Sequence, residues 1–166
     1  MKGILLSIDP GRVTGWAMIN LETEEVLLFG EVKAGDRFYI SLLGDRMEDA
    51  DYLVIEDQYL DKNVDSLIKL AALRGGLEML WAVRKNNFTL GINCLAVKPS
   101  TWQSALNIPK RAGREKRKRA SIFQAKVFTG KKLSENVADA VCIGLAIARR
   151  LNAKKRIEKM DKAKEC

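Results

Sequence analysis

A chain of 166 residues, 47% hydrophobic and with a net charge of +8, is the size of a single domain that can bury a core of its own. It has no histidine, which removes the commonest general base and transition-metal ligand. Its cysteines, Cys94, Cys142 and Cys166, are too widely spaced for zinc and too odd in number for a disulfide framework, so they read as reduced, two of them in the core.

The opening residues Met1 to Ile8 carry too short an apolar run for a secretory signal or a membrane span, and a cytoplasmic protein is expected. Lys2 to Ile8, Val13 to Asn20 and Val26 to Val32 read as strands separated by Pro-Gly and acidic turns, which predicts an antiparallel meander. A short helix over Arg37 to Met47 precedes Tyr52 to Glu56, a compact apolar run ending in charge and expected to be a buried, central strand. Val64 to Val83 turns helical. Leu67, Leu70, Ala71, Leu77 and Trp81 share one face, and Ile68, Ala72, Gly75, Gly76 and Met79 another. A helix apolar on two sides suits packing on the sheet and on a second subunit, with Gly75 and Gly76 marking a close crossing or a break.

Leu90 to Val97 reads as the last strand, and Pro99 opens a short helix through Leu106. Glu115 to Phe128 has helical spacing in Ala120, Phe123, Gln124 and Val127. Ser134 or Asn136 is expected to cap a final helix that runs to about Leu151 and buries Val141, Leu145 and Ala148. The organisation expected is one α/β domain over residues 1–151 followed by a lysine-rich tail over 152–166.

Charge is divided along the chain. Residues 1–61 hold 13 acidic and 5 basic side chains, residues 62–166 hold 8 and 24, and ten of those cations fall between 110 and 132. A basic surface beside an acidic cluster suits an enzyme that grips a polyanion and needs a metal ion to approach its phosphates.

The acids that carry chemistry are those at the ends of apolar elements. Asp9 closes the first strand and runs into the turn Pro10-Gly11. Glu56 ends Leu53-Val54-Ile55, where an unpaired acid is costly to bury. Asp139 lies between Ala138 and Ala140 on a helix face expected to be buried. Three such carboxylates without histidine or cysteine fit hard oxygen ligation of Mg2+ or Mn2+, in which two ions about 4 Å apart activate the nucleophile and stabilise the leaving 3′ oxygen.

Taken together, these motifs resemble those of the bacterial and phage Holliday-junction resolvases called RuvC. Ile8-Asp9-Pro10-Gly11 with Thr14-Gly15 is similar to the family's first motif, Ile55-Glu56 followed by residues 57–66 to its second, and Ala138-Asp139-Ala140 to its last. The resemblance implies a ribonuclease-H-like fold, a mixed five-stranded sheet flanked by helices. It also implies a dimeric two-metal endonuclease that nicks four-way DNA junctions symmetrically. Asp9, Glu56 and Asp139 would be its metal ligands. Where the family has a further aspartate this chain has Asn136, the expected fourth ligand, with Glu135 one residue earlier on the same side of the helix.

By the same resemblance Lys116 would neutralise the transition-state phosphorane or bind a neighbouring phosphate, and Tyr59 would engage a base near the crossover, a stacking contact worth about 1 to 3 kcal/mol. Lys62 and Asn63 beside Tyr59, and Arg114 and Lys118 beside Lys116, complete the expected DNA-binding set. Gln103 stands where bacterial members commonly carry a second lysine. Two alternatives remain open: a nuclease of the same fold acting on other branched DNA or RNA, and a junction-binding protein in which Asn136 marks a degraded catalytic set.

Overall fold

The computed structural model describes residues 2–57, 64–87, 93–109 and 113–164, the side chains of 156 and 158–164 excepted. Tyr59, Lys62 and Asn63 therefore lie outside the described residues. The chain opens with β1 (Ile4–Asp9), β2 (Val13–Asn20) and β3 (Val26–Lys33), the expected antiparallel meander, in which Asp9 stands opposite Gly15 and Thr14 opposite Val32. After α1 (Tyr39–Asp49), β4 (Tyr52–Glu56) pairs parallel to β1. After α2 (Val64–Arg84), β5 (Cys94–Val97) pairs parallel to β4.

The result is a mixed five-stranded sheet in the order β3-β2-β1-β4-β5. β4 is interior, as expected, but the middle strand is β1, because the meander extends the sheet on one side and the β4–β5 pair on the other. Three helices follow: α3 (Pro99–Ala105), α4 (Arg114–Thr129) and α5 (Glu135–Lys164). The last does not stop near Leu151. It continues through the segment expected to be a tail, because residues 152–164 contain neither glycine nor proline and are mostly good helix formers.

Strand alternation sorts the core onto two faces. Leu6, Ile8, Met18, Leu53 and Ile55 pack with Tyr39, Leu43 and Met47 of α1 and Leu77 and Trp81 of α2. Leu5, Ala17, Ile19, Val54 and Val97 pack with Trp102 of α3, Ala125 of α4 and the buried stripe Val141, Leu145 and Ala148 of α5. Cys142 is buried in this second layer, while Cys94 is only half-buried, and neither is in a disulfide.

Close backbone approach sets how α5 lies on the sheet. A Cβ at Gly15 would collide with the carbonyl of Asn136, and one at Gly144 with Ile19 and Ser7. The buried Ser7 hydroxyl donates to the Ala140 carbonyl at 2.7 Å, so the first turns of α5 are pinned to β1 and β2. Farther along, Asn152 Nδ2 donates to the Leu21 carbonyl at 2.8 Å.

Candidate active site

Strand parity brings the first two acids together. On β1, Leu5 and Ser7 face α5, and Asp9 falls on the same side; on β4, Val54 faces α5, and so does Glu56. The parallel register Ile8↔Ile55 then makes Asp9 and Glu56 neighbours at the carboxyl ends of adjacent strands, where parallel sheets gather ligands. α5 supplies the third acid. The contacts that hold its first turns, Asn136 on Gly15 and Ala140 on Ser7, place Asp139 over the same strand ends.

Burial is the largest influence on all three carboxylates. Asp9 is held well above the ordinary carboxylate range by burial first, then by the charges of Glu56 and Asp139, and by its hydrogen bond to Glu56. Burial raises Glu56 to about 7, against the pull of a hydrogen bond from Trp102. Asp139 rises to about 6, again chiefly by burial, with Ser121 lowering it, Glu135 raising it and Lys118 lowering it. A hydrogen bond links Asp9 and Glu56, and two carboxyl groups can share one only through a proton.

Neutral donors orient two of the acids. Trp102 Nε1 donates to Glu56 Oε1 at 2.7 Å, and the Ser121 hydroxyl donates to Asp139 Oδ1. Beside them opens a cleft of about 410 Å³ lined by Glu56, Glu135 and Asp139 on one side and Arg114, Arg117 and Lys118 of α4 on another, with Trp102 and Gln103 between. Lys118 Nζ lies 2.7 Å from Glu135 Oε2. Asp57, also on the cleft, is paired with Arg74 of α2.

α4 is itself unusual. It begins at Gly113 with no side-chain cap, and five of its first six residues, Arg114, Lys116, Arg117, Lys118 and Arg119, are cationic. Cations at a helix N-terminus oppose the macrodipole, so this end of α4 trades local helix stability for a positive surface beside the acids.

Of the residues singled out in the sequence, the structure brings together Asp9, Glu56 and Asp139 and sets Arg114 and Lys118 on the adjoining cleft. Lys116 is exposed on α4 and is not among the described residues lining that cleft. Asn136 is likewise not among them; its carbonyl is pressed on Gly15, and Glu135 reaches the cleft instead. Trp102, Ser121 and Arg117 were not foreseen. A buried indole needs an acceptor for its N–H, and that requirement was the available signal for Trp102.

The donor set suits a hard divalent cation: carboxylates whose proton affinity is raised chiefly by burial are sites where a cation can displace a proton. Among the described residues no three acids stand as a ready-made chelating cluster.

No family model matches the sequence, and no curated protein matches it. Solved structures do. RuvC of Thermus thermophilus superposes with a TM-score of 0.61 at 18% identity, over 86% of this chain and 92% of that one. T. thermophilus RuvC in complex with Holliday junction substrate gives 0.59 at 18% identity, over 86% and 90%. Ydc2, the yeast mitochondrial Holliday junction resolvase, gives 0.56 at 16% identity, over 96% and 85%. With its mixed β3-β2-β1-β4-β5 sheet and flanking helices, the chain has the RuvC-like form of the ribonuclease-H-like fold.

Proposed function

We propose that the chain is a structure-specific endonuclease that resolves four-way DNA junctions by metal-dependent phosphodiester hydrolysis. The observation that carries this reading is the meeting of Asp9, Glu56 and Asp139 at the strand ends, beside a cleft walled by Arg114, Arg117 and Lys118. Acids alone would repel a phosphodiester and cations alone would only bind one; their juxtaposition suits cutting it. The fold shared with resolvases from a bacterium and from yeast mitochondria favours a junction over other nucleic acids.

Asp9, Glu56 and Asp139 would hold Mg2+ or Mn2+, with Glu135 rather than Asn136 as the fourth acid, since Glu135 is the one on the cleft. When bound, two such ions activate a water and stabilise the leaving 3′ oxygen. The protein's own groups do the rest. Arg114, Arg117 and Lys118 bind the phosphodiester and spread its charge. Trp102 and Ser121 fix the lone pairs of Glu56 and Asp139 that remain for ligation. Lys118, paired with Glu135, is better placed than Lys116 to touch the reacting phosphate. Lys116 would serve DNA binding beyond the cleft, and Tyr59, Lys62 and Asn63 would read the junction centre.

Paired nicks need paired sites. The outer face of α2 carries Val64, Ile68, Met79 and Val83, each more than half exposed, with Gly75 on the same stripe and nothing near its missing Cβ. We take this face as the contact of a homodimer with two-fold symmetry, which would present one active site to each of two strands.

The test is cleavage of a labelled, immobile four-way junction with Mg2+, Mn2+ or chelator, read on denaturing gels. Symmetric nicks that require metal are expected. Preference for a flap or an RNA duplex would replace the resolvase reading with that of another nuclease, and tight junction binding without nicks in either metal would leave a binding protein.

A further inference from the structure

We infer that Trp102 is a positioning residue for the metal site, holding the Glu56 carboxylate in one orientation through its indole N–H. The inference rests on the proposed nuclease reading and concerns a residue to which neither the sequence motifs nor the acids themselves assign a role. Its indole is 2% exposed, and Nε1 donates to Glu56 Oε1 at 2.7 Å. That bond joins α3 to the end of β4, which are 46 residues apart in sequence and meet only in the folded chain.

The chemistry of the donor makes it suited to this task. An indole can give a proton to a hydrogen bond but cannot accept one and does not ionise. It therefore binds the carboxylate oxygen without competing as a cation for the site, as a lysine or arginine would. With Oε1 occupied by Trp102, the remaining lone pairs of Glu56 are directed to Asp9 and the strand ends. Groups that fix a metal-ligating side chain from behind commonly account for 10- to 100-fold, by order of magnitude, in metal affinity or activity.

The setting keeps the indole from moving. Pro99 starts α3 immediately after β5, and Trp102 packs in the core layer beneath α5 with Val97, Leu106 and Ile108. One side of the residue borders the acidic cleft and another borders a second hollow formed with Ala146, Ile147 and Arg150 of α5. Trp102 is thus the partition between them, and a rigid partition is what a fixed ligand orientation requires.

The experiment is calorimetric titration of Mn2+ into the wild-type protein and into Trp102→Phe, without DNA, alongside junction affinity in chelator. Phenylalanine keeps most of the packing and removes the donor. The expected result is Mn2+ binding weakened about 10- to 100-fold with junction affinity unchanged. In the Glu56→Gln background, Trp102→Phe should cause no further loss of Mn2+ affinity, because its effect runs through that carboxylate. Equal Mn2+ affinity in wild type and Trp102→Phe would overturn the inference, as would a full additional loss in the Glu56→Gln background. Wild-type protein that bound no metal would instead overturn the nuclease reading. Should Trp102→Phe not fold, the indole N–H resonance of Trp102 in the 15N-labelled wild type decides: a shift on Mg2+ addition supports the inference, and a signal indifferent to Mg2+ overturns it.

Discussion

Gly15 lies against the backbone carbonyl of Asn136, so closely that a Cβ at position 15 would collide with it. Gly15 is also the residue paired with Asp9 across the β1–β2 ladder. One missing methyl therefore sets how near the first turn of α5, with Glu135 and Asp139, comes to the strand that carries the first acid. Gly15→Ala must push that turn away. The expected cost is about 1–3 kcal/mol, typical of overpacking, seen as a lower Tm, together with a loss of metal-dependent cleavage larger than that loss of folded protein explains. Cleavage that merely tracked the folded fraction would contradict this link.

Asp9 is raised by burial and then by the charges of both Glu56 and Asp139, and on the proposed reading Asp9→Asn would remove a metal ligand while leaving the cations of α4 in place. Cleavage should fall to the level seen in chelator, and junction affinity in chelator should be unchanged or higher, since a metal ligand is lost while the basic surface remains. Filter binding and gel assays on the same preparation separate the two effects. Retained cleavage would remove Asp9 from the metal site.

The raised acids make stability depend on pH in an uncommon direction. Glu56 titrates near 7 and Asp139 near 6 when folded, against ordinary values of 4.5 and 3.8. Between about pH 4 and 7 the folded chain thus binds more protons than the unfolded one, and stability must fall as pH rises through that window. In chelator, Tm should be higher at pH 5 than at pH 8, and Mg2+ or Mn2+ should restore it at pH 8, where the acids are charged and unshielded. Asp139→Asn should flatten the pH profile and raise Tm at pH 8. A Tm that climbed from pH 5 to pH 8 would be the opposite result.

Phosphate contacts leave a signature in salt. Each one releases counterions, with a slope of about −0.9 in log affinity against log salt for duplex DNA. Arg114→Ala and Arg117→Ala should each make the slope shallower by about that amount. Lys118→Ala should lower cleavage more than Lys116→Ala, because Lys118 is on the cleft beside Glu135 and Lys116 is not. A larger loss from Lys116→Ala would favour the lysine first expected from the sequence.

The exposed stripe of α2 tests assembly. Ile68 and Met79 are 61% and 56% exposed, so Ile68→Glu and Met79→Glu should leave the fold intact. In a dimer held by that face they should yield monomers by sedimentation velocity and single, unpaired nicks. Unchanged dimers would move the interface elsewhere.

Much of this was legible in the chain, and the limits are physical. Asp9 and Glu56 stood out because each ends an apolar strand, and a period of 2 fixes their faces. Their adjacency rests on the register Ile8↔Ile55, which arises from strands 47 residues apart and leaves no local mark. At the start of α5, Glu135 and Asn136 share a helical side, and only the folded structure shows that Glu135 lines the cleft. Lys116 and Lys118 sit in one basic run. Only the burial of Ser121, one turn beyond Lys118, reveals which of them faces α5. The end of α5 was misplaced because apolar periodicity stops near Leu151 while the helix-forming residues do not.

The bond between the Ser7 hydroxyl and the Ala140 carbonyl spans 133 residues, and the acids it aligns are made in the order Asp9, Glu56, Asp139. A nascent chain that has made β1 and β4 but not α5 holds two of its carboxylates and lacks the third. On the proposed reading, a complete set of carboxylates would form only once α5 docks. The same contact that seats the helix would thus also decide when a third carboxylate joins the other two.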